Sequence, residues 1–207
     1  MNDRIKVLLA DDHAIVRMGL FSLLESEDDI VVVGQAEDGI EAVNLATRLK
    51  PDIVIMDLQM PRKDGVAATE EIHSNLSTAK VILLTTFASS DGIFHALENG
   101  AQGALLKNNA ETELPSAIRK VASGGQYISP EVRRQLKANP PIPKLTTRQT
   151  EIMTFMAKGS TSKEIANAIG ISTNSVNEHI ETIIRKVGAT NRTEAIAIAL
   201  KHQLLKI

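Results

Sequence analysis

The chain has 207 residues, 43% hydrophobic and 23% charged, a balance that supports packed cores and excludes a disordered or low-complexity protein. It has no cysteine, which excludes disulfides, thiolate catalysis and thiolate-bound metal, and no apolar run is long enough to span a bilayer. The net charge of −2 hides an asymmetry: from Leu145 onward eight basic side chains face five acidic ones, so the C-terminal segment is mildly positive and the remainder negative. Aromatic residues are only 2%, so the cores must be built from Val, Ile, Leu, Ala and Met. Met1-Asn2-Asp3-Arg4 leads straight into a short apolar run without the h-region of a signal peptide, so a soluble cytoplasmic protein with no membrane partner is expected.

In chain order, Ile5 to Ala10 is an apolar run of strand length stopped by Asp11 and Asp12. An amphipathic stretch follows from about Ala14 to Glu25. Asp29 to Gly34 reads as a second strand, helical periodicity returns from Gly39 to Leu49, and Asp52 to Asp57 is a third strand closed by a loop bearing Pro61 and Gly65. Val81 to Leu84 and Ala104 to Leu106 are the fourth and fifth, each followed by a helical stretch. Near-continuous apolar strands separated by helices predict a parallel sheet covered on both faces. The expected fold is α/β, a doubly wound, five-stranded, flavodoxin-like unit over residues 4–124, whose ligands bind at the carboxyl ends of the strands.

The pattern changes after Gly124-Gly125. Ser129-Pro130-Glu131 predicts the start of a short basic helix, and Asn139-Pro140-Pro141-Ile142-Pro143 interrupts any regular helix. Residues 125–144 therefore read as a stiff linker with a short helix. Residues 145–207 are helical throughout, with four helices expected near 147–158, 162–169, 173–187 and 191–203. Thr146 and Ser172 suit N-caps, and Gly159, Gly170 and Gly188 suit helix ends. Helices 162–169 and 173–187, joined by Gly170-Ile171-Ser172, have the outline of a helix-turn-helix, although any small helical bundle shows similar spacing.

Three carboxylates end strands: Asp11 and Asp12 after the first, Asp57 after the third. In a parallel sheet these ends share one edge. Converging carboxylates repel one another unless a cation neutralises them, and hard oxygen donors with room for water suit Mg²⁺. A carboxylate beside that ion is a nucleophile toward phosphorus. Thr85 ends the fourth strand with a hydroxyl, and Lys107 ends the fifth with an ammonium suited to a phosphoryl oxygen. Any one of these is unremarkable as a strand-end residue; five in strand order are not. No second acid is placed to protonate a leaving group, which argues against a phosphatase, and the protein is expected not to be an enzyme. His13, His73, His95, His179 and His202 show no metal-ligand spacing, and His13 reads as part of the first loop.

LLADDH with the following IVRMGL, VIMDLQMPRKDG, VILLTTF and ALENGAQGALLK together resemble the receiver domain of two-component response regulators. The resemblance implies that Asp57 is the phospho-acceptor. It also implies that Asp12, Asp57 and the Gln59 backbone carbonyl hold Mg²⁺ with help from Asp11, and that Thr85 and Lys107 meet the phosphoryl oxygens. The phosphoryl group would come from a cognate sensor histidine kinase or a small phosphodonor. One departure is Ala104, three positions before the lysine, where receivers usually carry an aromatic residue.

LTTRQTEIM, AKGSTSKEIANAIGIS and SVNEHIETIIRKVGATNRTEA resemble the LuxR-type helix-turn-helix of the NarL/FixJ family. This implies that helix 173–187 enters the major groove and that a homodimer, formed on phosphorylation, binds paired promoter half-sites of double-stranded DNA. The implied DNA-facing residues are Lys163, Thr173, Asn174, Ser175, Asn177, Glu178, Glu181, Thr182, Arg185, Lys186 and Arg192. Asn177 stands where the family usually has lysine, and Glu178 and Glu181 add negative charge nearby. Either Asn177 and a glutamate read an unusual base sequence while Lys163, Arg185, Lys186 and Arg192 grip phosphate, or DNA affinity is weak and the domain acts mainly on protein, independently of phosphorylation. Gln149 replaces a typical glutamate, with the loss of a charge pair as the expected cost.

Overall fold

The computed structural model describes residues 4–76, 78–86, 90–138, 145–201, 204 and 205. The chain divides into two compact units, Met1–Pro140 and Pro141–Ile207.

The first unit alternates strand and helix: β1 (Ile5–Ala10), α1 (Ala14–Glu25), β2 (Ile30–Ala36), α2 (Gly39–Leu49), β3 (Ile53–Met56), α3 (Gly65–Asn75), β4 (Lys80–Thr85), α4 (Ser90–Glu98), β5 (Gly103–Leu106), a turn of 3-10 helix at Lys107–Asn109, and α5 (Ala110–Ala122). The strand order is β2-β1-β3-β4-β5, all parallel, and a sixth strand extends it beyond β5. Period-two alternation divides the strand side chains between two cores. Val7, Leu9, Ile53, Ile55 and Leu84 pack with Leu20 and Leu24 of α1 and Leu114, Ile118 and Val121 of α5. Leu8, Ala10, Val54, Met56 and Leu83 pack with Ala42 and Ala46 of α2, Ala68 and Ile72 of α3, and Ile93 and Ala96 of α4. Strands buried on both faces explain the continuous apolar runs. Asp38 caps α2 by accepting the Ile40 and Glu41 N–H groups, and Asp64 caps α3 through Ala67 N–H.

Two sequence expectations are corrected here. The sheet has six strands, because Tyr127–Ile128 (β6) pairs parallel with β5, Gly103 opposite Tyr127 and Ala104 opposite Ile128. Residues 125–138 are therefore not linker. Ser129 N–H donates to the Ala104 carbonyl at 3.0 Å, and α6 (Pro130–Ala138) buries Val132 fully in the cluster holding Ala104, Leu106 and Ile93. A two-residue strand is too short to show alternation, and α6 offers only Val132 and Leu136 as an apolar stripe, so neither signal is readable without the partner surface. The proline-rich part of the expected linker, 139–144, lies outside the described residues. Val132→Ala is expected to destabilise the first unit by roughly 2 kcal/mol, whereas a linker position would give a change near zero; urea unfolding distinguishes these outcomes.

The second unit is four helices: α7 (Thr147–Ala157), α8 (Ser162–Ile169), α9 (Thr173–Val187) and α10 (Arg192–Lys201). Residues 202 and 203, His202 included, lie outside the described residues. Capping boxes open α7 (Thr146 with Gln149) and α8 (Thr161 with Glu164), and Ser172 caps α9. Gly170 and Gly188 end α8 and α9 at φ +71° and +72°, a left-handed conformation that a side chain resists. Ile152, Met153, Met156, Ile165, Val176, Ile180, Ile183, Ala195 and Ala199 form the core.

Glu164 is held below the usual carboxylate range, first by the Thr161 N–H and then by its hydroxyl; Glu194 is lowered by the Thr190 hydroxyl and N–H. Both therefore contribute stability above the ordinary value of 4.5 that is lost as pH falls through their depressed folded values. Glu164→Gln is expected to flatten the pH dependence of unfolding of the second unit between about pH 5 and pH 3, measured by circular dichroism.

Candidate functional site

The parallel register builds the site. Ala10 lies opposite Met56, so the residues that follow, Asp11 and Asp57, emerge side by side, and Asp57 N–H donates to the Ala10 carbonyl at 2.8 Å. Lys107 follows β5, two strands away, and its stem reaches across the sheet edge. Its Nζ lies 2.5 Å from Asp11 Oδ2 and 2.7 Å from Asp57 Oδ2. The side chains of Asp11, Asp57 and Lys107 are 3%, 5% and 10% exposed, so this is a desolvated charge cluster. Burial pushes the Asp57 carboxyl up; the Lys107 bond and charge pull it down, Asp11 pushes it up again, and the net result is above the usual value. Burial pulls the Lys107 ammonium down, but hydrogen bonds and attraction to Asp11 and Asp57 more than offset this and raise it.

Asp12 is exposed beside the pair, and the His13 ring lies over them, Nδ1 2.7 Å from Asp12 Oδ1 and 3.3 Å from Asp11 Oδ1. Donor atoms of Asp11, Asp12, His13 and Asp57 all lie within 4.8 Å of one another, a group able to hold a metal ion. Asp57 opens into a cavity of about 140 Å³ walled by His13, Val16, Gln59, Thr86 and Lys107. Liquid water takes about 30 Å³ per molecule, so this space admits a hydrated ion or a phosphoryl group. Three carboxylates against one ammonium leave an excess of negative charge.

The structure brings the side chains of Asp11, Asp12, Asp57 and Lys107 together, and Gln59 lines the cavity beside them. Thr85 ends β4 but is buried, and the cavity wall is its neighbour Thr86. Thr86 and His13 were legible only as neighbours of strand ends; which of two adjacent residues faces the cavity depends on backbone geometry after the strand. Gly65 packs directly behind the nucleophile: its N–H donates to the Leu58 carbonyl at 3.0 Å, and a Cβ there would lie 2.0 Å from the Asp57 carbonyl oxygen.

In the second unit, α9 buries Val176, Ile180, Ile183 and Val187 and leaves Thr173, Asn174, Asn177, Glu178, Glu181 and Arg185 exposed. Ser175 and Thr182 are half-buried on the margin, and Lys163 of α8 is exposed. Two of the expected phosphate-gripping cations also make hydrogen bonds within the unit. Lys186 Nζ donates to Gln149 Oε1 at 3.2 Å, and half-buried Arg192 donates to the Ser160 carbonyl. The charge pair expected to be lost at Gln149 is replaced by this hydrogen bond.

A doubly wound sheet with acidic strand ends, followed in one chain by a helix-turn-helix unit, defines the response-regulator class of transcription regulator. The chain belongs to the NarL/FixJ family of two-component response regulators: residues 7–119 match the response regulator receiver domain and residues 143–199 match the bacterial regulatory proteins of the luxR family. It is 38% identical over 207 residues to the response regulator protein VraR of Staphylococcus epidermidis, covering 98% of this chain and 99% of that one. Identity to the transcriptional regulatory protein LiaR of Bacillus subtilis is 38% over 209 residues, covering 97% and 99%. A solved structure of two RcsB dimers bound to two parallel DNAs superposes with a TM-score of 0.68 at 27% identity, covering 97% of this chain and 99% of that one. Among the described residues no helix is long and apolar enough to cross a membrane.

Proposed function

We propose that Asp57 accepts a phosphoryl group from a cognate histidine kinase, and that this controls homodimerisation and binding of the second unit to promoter half-sites. The observation that carries the reading is the desolvated Asp57 carboxylate, held by Lys107 and opening into a cavity that admits a phosphoryl group. An Asp57 carboxylate oxygen attacks phosphorus as the phosphorus–nitrogen bond of the donor phosphohistidine breaks, and the imidazole leaves with the electron pair. The clustered carboxylates of Asp11, Asp12 and Asp57 offer an oxygen donor set that fits Mg²⁺; the Gln59 carbonyl would complete it, and the ion when bound would neutralise the negative charge that otherwise repels the incoming group. Lys107 transfers its ammonium from Asp57 to a phosphoryl oxygen. The Thr85 hydroxyl turns toward another. In the DNA complex Asn177, Glu178 and Glu181 face base edges, flanked by Thr173, Asn174, Ser175 and Thr182, while Lys163 and Arg185 grip phosphate.

The test uses beryllofluoride with Mg²⁺ as the phosphoryl mimic, on wild type and Asp57→Ala. A dimer in solution and at least about tenfold tighter promoter binding are expected in wild type alone. Equal behaviour of the two proteins would place control outside the pocket. A second reading, a regulator acting mainly through protein contacts, is favoured by the engagement of Lys186 and Arg192 and by the exposed Glu178 and Glu181. A salt dependence of DNA binding near zero would select it, since each phosphate neutralised by Lys or Arg contributes about −0.9 to the log–log slope.

A further inference from the structure

The ring of His13 sits at a position where a capping side chain is usual, the N-cap of α1, yet it makes no capping bond. Instead the His13 N–H donates to Asp11 Oδ1 at 2.9 Å, which ties the loop down over the strand end, and the imidazole walls the cavity into which Asp57 opens. Its Nδ1 is within 3.3 Å of carboxylate oxygens of both Asp11 and Asp12. One oxygen from each of Asp11, Asp12 and Asp57 and one ring nitrogen of His13 lie within 4.8 Å of one another. Donors on opposite sides of one ion stand about 4.4 Å apart at metal–ligand distances near 2.2 Å, so small side-chain rotations bring all four onto a single centre. The ring is two-thirds exposed, which leaves it free to make that rotation.

We propose that His13 is a nitrogen ligand of the receiver pocket, which shifts the preference of that pocket among divalent ions away from Mg²⁺ and toward transition ions of the manganese-to-zinc class. The inference rests on the reading of the pocket as a cation site. Mg²⁺ is a hard ion that takes oxygen ligands and gains little from an imidazole. Along the first transition row, affinity for imidazole nitrogen rises from Mn²⁺ to Cu²⁺ and falls again at Zn²⁺. His13 therefore sets the preference between the two classes, while the carboxylates set the affinity common to both.

The experiment uses chelator-treated full-length protein with Mn²⁺ as the probe. Free Mn²⁺ is counted by electron paramagnetic resonance, and bound Mn²⁺ is inspected by pulsed resonance for coupling to a coordinated nitrogen-14. Wild type is expected to bind Mn²⁺ in competition with Mg²⁺ and to show that coupling. His13→Gln is expected to lose the coupling and about tenfold in Mn²⁺ affinity, with Mg²⁺ affinity unchanged within about twofold. Asp57→Ala is expected to lose both ions. Bound Mn²⁺ without nitrogen coupling, or coupling that persists in His13→Gln, would overturn the role of His13 and leave the cation pocket standing. Failure of wild type to bind Mn²⁺ competitively with Mg²⁺ would remove the cation pocket itself, and the inference with it.

Discussion

Lys107→Ala is expected to lower the stability of the first unit by about 3 kcal/mol in metal-free buffer, because it leaves the buried carboxylates of Asp11 and Asp57 facing each other without their cation. The loss depends on pH in a defined direction. The Asp57 carboxyl already lies above its ordinary value of 3.8, and Lys107 is among the influences pulling it down, so removing the ammonium raises it further. A carboxyl raised in the folded state destabilises when ionised. The penalty is therefore absent below about pH 3.8, grows as pH rises above that, and is full once pH exceeds the folded value. Urea unfolding at pH 7 and pH 4 measures it. Saturating Mg²⁺ should restore most of the loss, since a ligand at a hundred times its dissociation constant stabilises by about 2.7 kcal/mol. Wild type should gain less, because Lys107 must give way. Equal stability of variant and wild type in chelator would show that the triad is not the desolvated cluster its burial indicates.

Gly65→Ala is expected to cost about 3 kcal/mol and to weaken beryllofluoride binding by at least about tenfold. The added Cβ would lie 2.0 Å from the Asp57 carbonyl oxygen and 2.9 Å from the Asp57 carbonyl carbon and Leu58 Cα. All three are backbone atoms, so no flexible side chain is available to yield, and relief requires moving the peptide that carries the nucleophile. Gly19→Ala on α1 is the matched control. Nothing lies within 4 Å of the place its new methyl group would take, and replacing glycine inside a helix stabilises by up to about 1 kcal/mol. Thermal melting and beryllofluoride titration of both variants separate a crowding effect from a general intolerance of substitution. A Gly65→Ala protein with wild-type binding would show that the loop relaxes without displacing Asp57.

Much of this was legible in the chain itself. Continuous apolar runs ending in Asp11, Asp57, Thr85 and Lys107 specify a parallel sheet with its chemistry on one edge, because strands buried on both faces leave no polar alternation and the polar residues collect where each strand stops. The helices of the second unit were equally readable, since Thr146, Ser172, Gly170 and Gly188 mark their ends by local hydrogen bonding and backbone conformation alone.

Tertiary structure decided what depends on a partner distant in sequence. Tyr127–Ile128 becomes a strand only because β5 offers an open edge, and α6 joins the core only because small Ala104 and its neighbours accept Val132. Lys186 and Arg192 read as surface cations in the sequence, and only the fold shows that they also donate to Gln149 and to the Ser160 carbonyl. Thr86 joins the cavity wall next to buried Thr85, and His13 joins the acidic cluster, placements that follow from the backbone after β4 and β1. Composition and periodicity determine which segments are strands and helices and which edge carries the charge, because those follow from nearest-neighbour burial. The side chains that meet at that edge are selected by register and loop direction, which exist only once the sheet has assembled.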